Sequence, residues 1–171
     1  MADIEIRAFQ PADTDAVLAL ILSIQRDEFG IAITAADQPD LRAIPDFYQS
    51  GSGGFWVATQ DGAVVGTIGL RDIGEGRAAL RKMFVAPQAR GREQGAAAAL
   101  LATLVAHARG AGLAEILLGT TEAFLAAHRF YEKNGFLAVP QADLPARFPV
   151  MAVDRRFYRL TLDPPGAAGA A

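Results

Sequence analysis

The 171-residue chain has no cysteine, so it can form no disulfide and no thiolate metal site, and no cysteine can carry an acyl group. Histidine is almost as scarce. His107 and His128 are the only two, each within a segment that reads as helix, too few to build a metal cluster. Long apolar runs are missing as well: the longest uncharged stretch, residues 95–108, is broken by Thr103 and His107 and falls short of the roughly 18 residues a membrane span needs. No membrane partner is expected. The start, "MADIEIRAF", carries charges at Asp3, Glu5 and Arg7 and lacks the apolar core of a signal peptide, which makes the cytoplasm the default compartment. Basic charge is not in excess. A formal net charge of −3 argues against a nucleic-acid partner, since gripping a phosphate backbone needs a concentrated basic surface. Ser52 lies between Gly51 and Gly53, yet the Gly-x-Ser-x-Gly elbow of a serine hydrolase is absent.

What is present is an ordinary globular composition, 51% hydrophobic and 20% charged, in a chain of suitable length for one core. One domain is expected over residues 1–162, followed by a flexible tail at 163–171, "DPPGAAGAA". Alternation at Ile4, Ile6 and Ala8 predicts a first strand, and Pro11 and Asp13 then introduce a helix over 12–29. A shorter helical region interrupted by Pro39 and Pro45 follows. Two apolar runs meet at Asp61-Gly62, a dipeptide suited to a tight hairpin because both central residues take positive φ. The segment "AALRKMFVA" continues the meander as another strand. Leu100, Leu101, Leu104, Val105 and Ala108 recur at helical spacing. Beyond them the pattern reads strand, helix, strand, strand: "AEILLGT", "TEAFLAAHRFYEKN", "FLAV" and "RFYRLTL".

The chemistry is concentrated where the meander runs into the long helix, in "VAPQARGREQGAAAALL". A strand, a glycine-bearing loop and a helix start aim several main-chain N–H groups at one point, which suits an anion. Gly91 and Gly95 remove side chains from the approach, and Arg90 and Arg92 add charge at the rim. A P-loop is excluded, because only three residues separate the glycines and Ala96-Ala97 follow where Lys-Ser/Thr should stand. A dinucleotide fingerprint is excluded by Glu93 in place of its second glycine and by the antiparallel strands that precede the loop.

The stretch Arg90-Gly91-Arg92-Glu93-Gln94-Gly95 resembles the pyrophosphate loop of the GNAT superfamily of N-acetyltransferases, Arg/Gln-x-x-Gly-x-Gly/Ala, with Val85 and Pro87 just before it. "RFYEKNGF", residues 129–136, is similar to that superfamily's Tyr-x-x-x-Gly-Phe ending of the fourth helix, and the strand order follows the same course up to about Leu162. Two positions depart from the pattern: Glu93 stands where a glycine is usual, and Phe124 where many members have asparagine. The resemblance implies an α/β fold with a central mixed, mostly antiparallel sheet of about seven strands flanked by helices and splayed between its fourth and fifth strands. It also implies acetyl-coenzyme A as co-substrate, and a primary amine of a small molecule or peptide as acceptor, attacking directly in a ternary complex.

Carried over residue by residue, the resemblance places the coenzyme against Met83, Phe84 and Val85, whose bulged strand offers a main-chain N–H to the thioester oxygen, and against Arg90, Gly91, Arg92, Glu93, Gln94, Gly95 and Ala96. Tyr131 matches the tyrosine that protonates the leaving thiolate, a phenol of reference pKa about 10 facing a thiol of about 8.5. No general base is identified. Asp27, Glu28, Asp37, Asp40 and Asp46 cluster between the first two helices and would suit a cationic amine; they would equally serve as a solvated face. The edge strands of such a sheet could pair across a homodimer. An alternative of another class stays open: a catalytically silent acyl-coenzyme A sensor or regulatory module with the same fold.

Overall fold

The computed structural model describes residues 3–91, 94–122, 124–152 and 154–162. The expected tail at 163–171 therefore lies outside the described residues. Seven strands form one sheet in the order β1 (Ile4–Ala8), β2 (Gly54–Gln60), β3 (Ala63–Gly74), β4 (Arg77–Val85), β5 (Glu115–Thr120), β7 (Arg156–Thr161), β6 (Leu137–Val139). Every neighbouring pair is antiparallel except β4 and β5. The β2–β3 hairpin turns at Asp61 (φ 53°) and Gly62 (φ 79°), the two positive values that match the twist of flanking strands.

Period-2 alternation divides the core between two faces of this sheet. Phe55 and Val57 of β2 face α1 (Thr14–Leu22) and the short α2 (Ile44–Phe47), joining Val17, Leu18, Ile21 and Tyr48. Trp56 and Ala58 point the other way, toward Leu100, Leu101, Leu104 and Ala108 of α3 (Ala96–Gly110). That face also takes up Tyr131 from α4 (Leu125–Lys133) with Phe136 and Tyr158. Gly135, at φ 91°, ends α4 in the left-handed conformation that glycine adopts without strain.

The first helix differs from its expected form. The spacing predicts one helix over 12–29, whereas α1 ends at Leu22 and passes into a π-helical turn, Ser23–Glu28. A widened turn rotates the side chains that follow it, and such turns concentrate at functional positions. Here it carries Gln25 into the interior and Glu28 to the loop before α3.

Candidate active site

Strands β4 and β5 stay together for only three residue pairs, Arg77 to Ala79 against Glu115 to Leu117. Past that point, among the described residues, β4 pairs with β3 alone. A bulge helps the separation: Thr67 opposes Phe84 and Gly69 opposes Arg81, so Lys82 and Met83 share the space facing Ile68. Lys82 takes φ 56° there, and the Thr67 hydroxyl donates to its carbonyl at 2.7 Å, which holds the distortion. The resemblance placed the distorted stretch at Met83 to Val85; the bulge lies at its first residue and the one before. Between the parting strands is a cavity of about 210 Å³, lined in part by Lys82, Met83, Thr120, Phe124, Tyr131 and Asp154.

Tyr131 enters this cavity from α4, 6% exposed. Its ring lies against Phe136 and Tyr158 at centroid separations of 5.5 and 6.1 Å. Its hydroxyl points to the Met83 sulfur at 3.7 Å, so the two sequence-predicted residues do meet across the cavity. Burial pushes the phenol pKa well above its ordinary value, so Tyr131 holds its proton at any physiological pH. A thioether is a weak acceptor, and the proton is therefore not committed to a strong partner.

The loop leaving β4 brings Gly91 (φ 97°) and Gly95 (φ 72°) to the start of α3, where Gly95 is the N-cap and supplies no side chain. A Cβ added at Gly91 would meet nothing within 4 Å, so the approach to the main chain is open there. The first N–H groups of α3, at Ala96, Ala97 and Ala98, have no acceptor inside the helix, whereas the Ala99 N–H donates to the Gly95 carbonyl at 3.0 Å. Arg92 and Glu93 lie outside the described residues. Gln94 is half-buried. Arg90 is engaged elsewhere than expected: its Nε donates to the Val85 carbonyl at 2.9 Å, and both terminal nitrogens grip the Glu28 carboxylate. The same hydrogen bonds hold the Glu28 pKa below the usual carboxylate range. Arg90 thereby ties the loop to the end of the π-helical turn and fixes the course of the main chain.

With that geometry in view, the profile of the acetyltransferase (GNAT) family matches residues 18–136, most of the chain, including β4, the loop before α3, β5 and α4. The chain belongs to this family. An acetyltransferase of the GNAT family from Staphylococcus aureus Mu50 is 37% identical and superposes with a TM-score of 0.89, over 94% of this chain and 99% of that one. An N-acetylaspartate synthetase of Xenopus tropicalis is 36% identical over 132 residues, 75% of this chain and 48% of that protein. The chain spans about half the length of the curated relatives it matches. The PaiA N-acetyltransferase of Thermoplasma acidophilum, in complex with coenzyme A, shares the fold at 19% identity and a TM-score of 0.68, over 94% of this chain and 99% of that one.

Within the GNAT frame, the acidic cluster singled out in the sequence is largely spent on the protein itself. Asp40 accepts from the Tyr48 hydroxyl at 2.5 Å and lies 3.9 Å from Lys82 Nζ. Asp37 accepts from the Thr34 N–H and hydroxyl. Glu28 belongs to Arg90. What does face the cavity is a buried relay that the sequence did not reveal: Gln25 and Gln38 exchange two side-chain hydrogen bonds, and Lys82 Nζ donates to Gln38 Oε1 at 2.6 Å. Burial lowers the Lys82 pKa to about 8, with Asp40 opposing the shift and Arg81 adding to it.

This lysine gives the fold a pH dependence of definite sign. Its folded-state pKa lies below the ordinary value of 10.5, so above pH 8 the native state binds fewer protons than the unfolded chain. Stability should rise between pH 8 and about 10, by up to ~1.4 kcal/mol per pH unit. Beyond pH 10 the raised pKa values of Tyr48 and Tyr131 reverse the trend, because the unfolded chain then loses phenolic protons first. Urea unfolding across this range tests it: Lys82→Met should flatten the rise, and equal slopes in the two proteins would contradict the role given to Lys82.

Among the described residues no helix is long and apolar enough to cross a membrane, and no group of three or more potential metal ligands is found.

Proposed function

We propose that the protein is an N-acetyltransferase that moves the acetyl group of acetyl-coenzyme A to a primary amine by direct attack in a ternary complex. The observation that carries this reading is the placement of the Tyr131 hydroxyl against the bulge of β4, inside the gap where β4 and β5 part. Family membership and the coenzyme A complex of a protein with the same fold support the donor.

The residues present fit the donor in three respects. Pairing of β4 with β5 stops after three residue pairs, and a cavity of about 210 Å³ lies beyond it, where the pantetheine arm would insert. The start of α3, at Ala96, Ala97 and Ala98, offers main-chain N–H groups and the positive end of the helix to a pyrophosphate, with Arg90 bracing the preceding loop through Glu28. Arg92 and Glu93 complete that loop in the sequence. The Tyr131 hydroxyl lies against the Met83 side chain of the distorted stretch, and a main-chain N–H of Met83 to Val85 is the group assigned to stabilise the thioester oxygen as its negative charge grows.

The Tyr131 hydroxyl passes its proton to the departing sulfur. Burial keeps the phenol protonated in the resting state, so its hydroxyl meets the thioester as a hydrogen-bond donor and not as a base. Mixing the protein with acetyl-coenzyme A and a panel of primary amines, and following thiol release, tests the reading. Release above the hydrolytic background with at least one amine is expected. Tight coenzyme binding with no release from any amine would instead favour the silent, coenzyme-sensing alternative.

A further inference from the structure

The wall of the cavity opposite the β4 bulge carries charge that the proposed reaction has not yet used. Asp154, in the segment leading into β7, is 8% exposed. Its Oδ2 accepts from the Met151 N–H at 2.9 Å, and Oδ1 has no hydrogen-bond partner among the described residues. That oxygen is not sealed away, because Ser52 Oγ is the one fully buried, unpartnered side-chain oxygen or nitrogen among the described residues. The carboxyl reaches β5 only because residue 119 is glycine. A Cβ there would stand 2.6 Å from Oδ2 and 2.8 Å from Cγ, although Gly119 needs no positive φ.

Arg81 lines the same cavity from β4 and touches the other side of Met151, its Nη2 lying 3.7 Å from the Met151 sulfur. It makes no ion pair among the described residues, yet it is near enough to act on the Asp154 carboxyl electrostatically. The cavity thus presents an anion and a cation side by side but not joined. Lys82, already bonded to Gln38, adds positive charge on the β4 side. Lys82 has Asp40 3.9 Å from its Nζ, so Arg81 is the cation that an amine with no other charge would leave without an anionic partner.

We propose that the Arg81–Met151–Asp154 corner of the cavity is the acceptor subsite, and that it takes an amine bearing its own carboxylate: the ammonium at Asp154, the carboxylate at Arg81. This rests on the acetyltransferase reading and names the acceptor class for it. Asp154 receives one proton from the ammonium and releases it to water. The freed nitrogen lone pair forms the C–N bond at the acetyl carbon as the C–S bond breaks. The second proton shed by nitrogen replaces the one that Tyr131 gives to sulfur, so the products are an N-acetylated amino carboxylate, a thiol and one proton.

Burial raises the Asp154 pKa, opposed by the Met151 N–H, Arg81 and Arg155, which makes the carboxylate a better proton acceptor than an exposed one. The groups facing it are Arg81 from β4 and, from its own segment, Arg155, whose guanidinium is held on the Ala152 and Asp154 carbonyls. Positive charge on that side also favours the neutral form of the bound amine.

The experiment compares thiol release for L-aspartate, L-glutamate, glycine and β-alanine with ethylamine and cadaverine, alongside calorimetric titration of acetyl-coenzyme A. The amino acids should have at least about tenfold higher kcat/KM, the scale of a charged hydrogen bond. Arg81→Gln should raise KM for them about tenfold with little change in kcat. Asp154→Asn should lower kcat ~100-fold and remove the acid limb of the pH profile, with coenzyme affinity unchanged in both variants. Gly119→Ala, which displaces the carboxyl, should lower kcat in the same direction. Thiol release with ethylamine or cadaverine but not with the amino acids, or equal rates with both classes, would overturn the subsite alone, whereas coenzyme binding with no release from any amine would overturn the enzyme reading too. A full rate in Asp154→Asn would overturn its proton-accepting role. Absence of coenzyme binding would overturn the enzyme reading and the subsite with it.

Discussion

Tyr131→Phe should lower kcat by about a hundredfold or more while leaving acetyl-coenzyme A affinity unchanged. The substitution removes one oxygen and keeps the ring that packs on Phe136 and Tyr158. Its hydroxyl partner is a thioether sulfur, so no strongly polar group is stranded by the change and the fold should lose little. The loss would therefore report proton delivery to the leaving sulfur and not packing. Steady-state thiol release and calorimetric titration of the same two proteins separate the possibilities. A rate within a fewfold of the parent would mean that the sulfur leaves without help from this residue, and Tyr131 would then be a wall of the cavity only.

Gly95→Val should have the second large effect, this time on binding. Gly95 is the N-cap of α3 at φ 72°, where any side chain with a Cβ costs about 1–2 kcal/mol and a branched one is worst placed. The chain can relieve that strain by turning the peptide before α3, which redirects the N–H groups assigned to the pyrophosphate. Losing one or two charge-assisted hydrogen bonds should weaken acetyl-coenzyme A binding by about a hundredfold. Rates at saturating coenzyme should recover, because the residues at the bulge are untouched. Unchanged affinity would mean that the loop shapes the start of α3 and does not hold phosphate.

The elements that could be read in the sequence are those whose signals are local. Asp61-Gly62 forces its own turn through two positive φ values, and the Leu100–Leu104–Ala108 stripe declares the buried face of α3 before any partner is known. The position of Tyr131 near the end of a helix closed by Gly135 was legible in the Gly135-Phe136 ending. The π-helical turn was not, since its apolar pattern is nearly that of an α-helix and the difference lies in one extra residue per turn. The fate of Arg90 was hidden for another reason: its partner Glu28 is 62 positions away, at the end of the π-helical turn, and only the folded chain brings them together. The same holds for Lys82 with Gln38 and for Asp154 with Gly119. A lone buried charge leaves no periodic trace, and its meaning appears only once the sheet has parted around it.

Calorimetric titration of acetyl-coenzyme A into the protein tests the central claim most directly, that the gap between β4 and β5 and the loop before α3 together form a coenzyme site. A saturable heat with micromolar affinity, lost in Gly95→Val and kept in Tyr131→Phe, is the predicted result. No binding up to millimolar coenzyme would contradict it.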